Sequence, residues 1–246
     1  MNGILFGVDL KATKAFYQEL KVVGLLHIVV LSGMNITMPS SVVGASTQHL
    51  GKKLSLFTSA VFIVAFVLFV GPQPPVVRAA VMGLLALVAV VYGRRAIALY
   101  TLFLSAVIIA IVWPQWISTV SFQLSFGATL GIILFGPKPS KPPDTRFAKF
   151  RREVKTELQT TLSAQVFTVP IIFHYFRQVS LISPFANVLV TWMIAPLMIF
   201  GFLAAFLGKI HMALGTIPAF ISYGLLAYIV SVVNVLARVP FIFVQF

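Results

Sequence analysis

Long apolar runs are the feature of this sequence that most restricts its fold. Stretches of about 20 residues, rich in Val, Leu, Ile, Phe and Ala, are separated by Gly, Pro or basic residues. A helix of that length crosses the ~30 Å hydrocarbon core of a bilayer. Runs such as VFIVAFVLFV lack the period-two alternation of barrel strands. We therefore predict an all-α polytopic membrane protein with about eight transmembrane helices, built as one membrane-embedded domain over residues 1–246.

The predicted helices share this length and apolar composition. They are Leu25–Val43, Leu54–Val70, Pro75–Tyr92, Ala96–Trp113, Thr119–Phe135, Glu157–Tyr175, Pro184–Leu207 and Ile217–Val239. Pro170 and Pro196 lie inside two of them, where a proline ring kinks a helix or breaks its hydrogen-bond ladder. Several helices are therefore predicted to be kinked or broken.

The composition excludes a water-soluble globular protein. Only 9% of the residues are charged and 59% are hydrophobic, whereas a soluble domain carries roughly 25% charged residues. So few charges cannot cover a surface that faces water. The chain has no cysteine and its four histidines are scattered, so we predict neither a metal site nor a cofactor.

Basic residues are distributed unevenly between the predicted helices. Twelve of the eighteen Lys and Arg residues follow the first, third, fifth and seventh helices, among them Lys52, Arg94, Arg151 and Lys209. Cytoplasmic loops carry the excess of Lys and Arg. We therefore predict that these turns are cytoplasmic and that both termini lie outside, including the segment 1–23.

The longest predicted loop, residues 136–155, is rich in proline and then basic and amphipathic. Phe147, Phe150, Val154 and Leu158 recur at helical spacing. The basic residues between them are Lys149, Arg151, Arg152 and Lys155. This pattern is typical of a helix on an anionic leaflet. Docking of nucleic acid or of a cytosolic partner is the alternative.

Polar residues inside apolar runs are the candidate functional residues, because a polar side chain in lipid is costly. The first predicted helix contains His27, Ser32, Gly33 and Asn35. These residues fit either tight helix packing or a polar pathway. His27 and Ser32 lack an orienting third group, so we predict no enzyme.

The remaining candidates lie further along the chain. Arg78 follows a proline-rich turn, and it fits either snorkelling to the interface or contact with phosphate inside a polar cavity. Gln123 and Ser125 fit either an interhelical hydrogen bond or a pathway. Gln165, Pro170 and Asn187 form the last group. No Asp or Glu lies inside a predicted span apart from Glu157 at a helix end, which disfavours a carboxylate-based pump.

Four segments, in the same order, resemble the ComEC family of bacterial competence proteins. The family's Gly-Leu-x-His run ending in Ser-Gly is similar to VGLLHIVVLSGMNI (Val23–Ile36), and its next signature is similar to PPVVRAAVM (Pro74–Met82). Its Phe-Gln-Leu-Ser-Phe helix is similar to WPQWISTVSFQLSFGATLGI (Trp113–Ile132). Its Pro-kinked helix and following Ser-Pro-x-x-Asn segment resemble Ser163–Val190.

This resemblance implies an inner-membrane channel subunit for uptake of single-stranded DNA during natural transformation, without covalent chemistry. The formal net charge of +13 suits a polyanionic substrate. The expected DNA-pathway residues are His27, Ser32, Gly33, Asn35, Arg78, Gln123, Ser125, Gln165, Pro170 and Asn187.

The expected partners are single-stranded DNA, anionic lipid, a cytosolic motor ATPase, a separate OB-like or nuclease subunit, and a second copy of the chain. Two other functions remain open. One is a small-solute permease with broken helices at the membrane midplane, and the other is a non-transporting assembly factor.

Overall fold

A computed structural model describes residues 14–25, 34–138, 145–180, 182–238 and 243–245, most of them helical. Within these ranges the helices are α1 (Lys14–Val23), α2 (Met34–Thr47), α3 (Lys52–Val70), α4 (Pro74–Val91), α5 (Ala98–Val112), α6 (Val120–Phe135), α7 (Arg146–Phe176), α8 (Ser183–Ile210) and α9 (Met212–Ala237). Short 3-10 turns lie at Gln48–Leu50 and Pro114–Trp116. Strands β1 (Gln178–Ser180) and β2 (Phe243–Gln245) pair antiparallel, with Val179 opposite Val244. Apart from this strand pair, the predicted all-α fold is confirmed.

Four of these helices, α3, α4, α8 and α9, are long and apolar enough to cross a membrane, and α5 and α6 are shorter apolar helices. Only 17–28% of the most apolar window in each of the four is buried within the chain. Their outward-facing side chains include Leu68, which is 78% exposed, and Phe220, which is 80% exposed. Apolar surface of this extent requires lipid around it. The chain is therefore a polytopic membrane protein.

α1 has no counterpart among the predicted helices. Its charged residues, Lys14, Glu19 and Lys21, make it too polar to be recognised as a span. Leu20 and Val23 are nevertheless almost fully buried, at 1% and 0% exposure. α1 is therefore an amphipathic helix that is held by packing of one face.

α7 joins two stretches that the sequence pattern treats separately. It runs without interruption from the basic amphipathic stretch through the predicted span Glu157–Tyr175. The side chain of Thr145 caps it by accepting a hydrogen bond from the Ala148 N–H at 3.4 Å. At 31 residues it is about 46 Å long. It also continues past Pro170, as α8 continues past Pro196, so neither proline ends its helix.

The turn between α8 and α9 is much shorter than the sequence predicts. The two helices are separated by His211 alone, and its Nδ1 accepts a hydrogen bond from the Ala213 N–H at 3.3 Å. Gly208 and Gly215 permit this close approach, because a Cβ on Gly215 would lie 2.6 Å from the Gly208 Cα. The predicted loop between Leu207 and Ile217 is therefore wrong, since helix occupies nearly all of it.

The chain divides into two compact units. Among the described residues, 34–126 form the first unit, and 14–25 together with 127–245 form the second, so the division crosses α6 between residues 126 and 127. In the first unit, α2 packs on α3, α3 on α4, and α4 on α5. The α2–α3 contact uses small polar residues. The Ser55 hydroxyl donates to the Gly44 carbonyl at 2.8 Å, and the hydroxyls of Thr47 and Thr58 lie 3.0 Å apart. Small residues and hydroxyl pairs of this kind hold helices together in lipid.

In the second unit, α8 packs against α7 and α9, and α9 packs against α1. The second half of α6 approaches α7 closely through Gly127 and Gly131, which are four residues apart. A Cβ on Gly131 would overlap the backbone carbonyl oxygen of Ser163, and one on Gly127 would lie 3.3 Å from the Ile171 Cδ1. These two glycines form a small-xxx-small contact, the spacing that lets membrane helices approach closely.

Candidate functional site

Arg78 lies one turn into α4, among the best buried residues of that helix. Its neighbours Val76, Val77, Ala79 and Ala80 are at most 7% exposed. The guanidinium Nη1 donates a hydrogen bond to the backbone carbonyl of Ser125 in α6. Within the described part of the chain, its Nε has no acceptor. Arg78 therefore joins α4 to α6 inside the first unit, rather than only extending to the membrane surface.

The Phe-Gln-Leu-Ser-Phe segment lies at the start of α6. Thr119 precedes the helix, and its hydroxyl accepts a hydrogen bond from the Phe122 N–H at 3.3 Å. The rings of Phe122 and Phe126 lie 4.2 Å apart at their centroids. Gln123 and Ser125 are both partly buried. Arg78 thus contacts the backbone of the same short segment that presents these two polar side chains.

Asn187 is buried in α8, at 6% exposure. Its Nδ2 donates to the Thr161 hydroxyl in α7 at 3.4 Å, whereas Oδ1 has no donor among the described residues. Ser163 is buried nearby on α7 and donates to the Gln159 carbonyl at 2.6 Å. The structure therefore places Asn187 in a polar contact between two helices of the second unit.

The remaining candidates on α7 are more open. Gln165 is partly buried, and Pro170 is exposed. At the start of the same helix Lys149, Arg151 and Lys155 are exposed and Arg152 is partly buried. Phe147 and Phe150 beside them are 76% and 61% exposed. This end of α7 thus presents cationic groups and aromatic rings together.

The first group of candidates is described only in part. His27, Ser32 and Gly33 lie outside the described residues. Asn35 lies in the first turn of α2. Their assignment to a pathway stays a prediction.

Sequence reasoning missed a contact between two of the segments with family resemblance. Gly24 has φ +77°, a conformation that favours glycine, and a Cβ there would lie 2.7 Å from the Ser183 Cβ. The Ser183 hydroxyl also approaches the Gly24 carbonyl, at 3.5 Å. Gly24, at the start of the Gly-Leu-x-His segment, therefore meets Ser183, at the start of the Ser-Pro-x-x-Asn segment, in the second unit. In the first unit, Arg78 meets the Phe-Gln-Leu-Ser-Phe segment in a similar way. In a single sequence, the only sign of a positive φ is the glycine itself.

Across the described ranges, no group of three or more His, Asp or Glu side chains is placed to hold a metal ion.

Comparison with known proteins decides the family. A family model described as "Competence protein" matches residues 4–246. The chain belongs to the competence protein family. A relative, ComE operon protein 3 of Bacillus subtilis (strain 168), is 27% identical over 180 residues, which cover 70% of this chain and 21% of that protein. The match confirms the resemblance to ComEC-type competence proteins.

This competence protein spans about a fifth of the length of its Bacillus relative. No solved structure matches the chain. Family membership supports a role in competence. The Arg78–Ser125 and Gly24–Ser183 contacts therefore hold together segments of a competence protein.

Proposed function

We propose that this competence protein forms a path for single-stranded DNA through the bacterial inner membrane. The observation that carries the proposal is the position of Arg78, a guanidinium held at the Phe-Gln-Leu-Ser-Phe segment within an apolar helix. One hydrogen bond to the Ser125 carbonyl engages only one of its five N–H donors. The others suit a phosphate, which a guanidinium recognises through its planar fork.

The scarcity of charge elsewhere also favours transport over tight binding. Arg78 is accompanied by uncharged polar groups such as Gln123 and Ser125. A path lined by many arginines would bind DNA phosphates strongly, with a steep salt dependence, and release them slowly. Amides, hydroxyls and aromatic rings instead permit sliding contacts with a single strand.

We propose no covalent chemistry and no cofactor for this transport. The proposed partners are single-stranded DNA, a cytosolic motor ATPase, an OB-like or nuclease subunit, and a second copy of the chain. Anionic lipid is proposed as the partner of the exposed basic residues at the start of α7, because Phe147 and Phe150 add apolar surface to Lys149, Arg151 and Lys155.

The function is tested with purified protein in liposomes that enclose a fluorescent DNA-binding dye. Added single-stranded DNA should become protected from external nuclease and should increase the internal fluorescence. Uptake of small solutes without DNA protection would favour the permease. If neither enters, the chain acts as an assembly factor and the channel proposal is wrong.

The proposed orientation is tested by single cysteines at Arg151 and Arg238, since the natural chain has no cysteine. Both arginines are close to helix ends, and we place them on opposite sides of the membrane. A membrane-impermeant thiol reagent added to intact cells should label R238C and leave R151C unlabelled until the cells are opened. External labelling of R151C would reverse the orientation.

A further inference from the structure

A groove of ≈ 660 Å³ lies where α4 ends and α5 begins, inside the first unit. Its walls include Leu85, Val88 and Leu104, and its rim includes Arg94 and Arg95. Val88 is 51% exposed, so the apolar wall lies on the outer surface of the helices. None of the Arg78 contacts belongs to it, so the groove is separate from the candidate DNA path.

We expect the rim to lie at the level of the membrane surface. α4 is one of the four helices able to span the bilayer, and the rim follows its last residue, Val91. Tyr92 and Tyr100, which are 76% and 64% exposed, also line the groove. Tyrosine and arginine at the end of a transmembrane helix are typical of the headgroup region.

The local backbone holds Arg94 in place. Gly93 has φ +66°, and its N–H donates to the Val90 carbonyl at 3.1 Å. The Arg94 N–H donates to the Ala89 carbonyl at 2.8 Å. These two hydrogen bonds form a Schellman motif, the common way in which a glycine ends a helix. The arginine is therefore attached to the last turn of α4 and not to a free loop.

Arg94 and Arg95 are both exposed at the rim and give it a positive charge. Two guanidinium groups above an apolar wall complement a molecule that carries a phosphate at one end and a hydrocarbon chain at the other. Basic pockets between membrane helices bind anionic headgroups in this way.

We propose that this groove binds one anionic phospholipid, with its phosphate at Arg94 and Arg95 and an acyl chain along Leu85, Val88 and Leu104. Lipid fits better than DNA because the wall below the arginines is apolar and faces the hydrocarbon region. A DNA strand would leave that wall uncovered. The binding site is independent of the proposed DNA path.

Native mass spectrometry of the purified full chain in neutral detergent tests this proposal, with phosphatidylglycerol and phosphatidylcholine as probes. The wild type should retain one phosphatidylglycerol in preference to phosphatidylcholine. R94Q/R95Q should weaken that first binding step about tenfold or more, since each basic residue near an anionic lipid contributes about fivefold. V88W should also weaken binding, because it fills the apolar groove and leaves both arginines in place.

The matched control is K52Q/K53Q, which removes another exposed basic pair, at the start of α3. Its first phosphatidylglycerol should bind within about twofold of the wild type, because no part of the groove is changed. Equal losses in the two double variants would overturn the proposal. Displacement of the lipid by glycerol phosphate at the same concentration would also overturn it, since the site would then recognise phosphate without a hydrocarbon chain. Displacement by a short single-stranded DNA would overturn it as well, since the site would then recognise nucleic acid.

Discussion

Gly131→Ala should destabilise the protein by about 3 kcal/mol, the upper end of the usual cost of overpacking. A single methyl group at this position would overlap the backbone carbonyl oxygen of Ser163 in α7, and it would lie 3.3 Å from the Ala164 Cα. Backbone atoms of a packed helix cannot turn aside as a flexible side chain can. α6 and α7 would therefore have to separate. The measurement is the Tm in detergent, together with the amount of protein in the membrane.

Two other helix glycines provide graded controls. Gly224→Ala places its methyl group where nothing lies within 4 Å, so Tm should stay the same or rise slightly, because alanine favours a helix by about 1 kcal/mol over glycine. Gly127→Ala should have a small effect, since it meets mainly the flexible end of Ile171. If all three variants have the same Tm, the close α6–α7 contact does not stabilise the second unit.

Arg78→Gln should reduce DNA uptake per inserted molecule by about 10- to 100-fold, the effect of losing a charge-assisted hydrogen bond worth about 1.5–3 kcal/mol. In the proposed path the guanidinium has two functions, because it holds the Ser125 carbonyl and keeps donors for phosphate. Glutamine retains an amide that can still donate to the carbonyl. The substitution therefore removes the positive charge but can leave a hydrogen bond between α4 and α6.

Uptake must be measured alongside protein abundance and Tm. Arg78→Lys keeps the charge without the fork, so it should give intermediate uptake. Arg238→Gln, an exposed arginine at the end of α9, should leave uptake unchanged. If abundance and Tm fall in Arg78→Gln while uptake per molecule stays at the wild-type level, Arg78 is only a structural link, and the phosphate contact is wrong.

The helices that could be predicted from the sequence are those whose boundaries are set locally. α3 and α4 match their apolar runs within two residues, because glycine or proline stands at each end. α1 and the α8–α9 turn could not be predicted in the same way. α1 is held by burial of one face, and the short turn depends on Gly208 and Gly215 meeting across two helices. Tertiary contacts of this kind have no local signature.

In the candidate site, too, the residues could be predicted from the sequence but their tertiary contacts could not. The cost of polar groups in lipid was sufficient to single out Arg78, Ser125 and Asn187. Their partners were not predictable, because Arg78 reaches the Ser125 backbone 47 residues away and Asn187 reaches Thr161, which looked unremarkable in the sequence. Gly127 and Gly131 are different, since their four-residue spacing is a recognised packing signal that the sequence already contained.

The one-residue link at His211 has a consequence for how the protein is made. α8 and α9 are 28 and 26 residues long, so each has enough length for a full crossing. A single residue is too short to pass through the headgroup region and return. It is also too short a linker for one helix to enter the bilayer well before the other. We therefore expect the pair to leave the translocation machinery as a preformed helical hairpin. An epitope inserted at residue 211 should block membrane integration, whereas one inserted at exposed Gly93 or Lys138 should be tolerated.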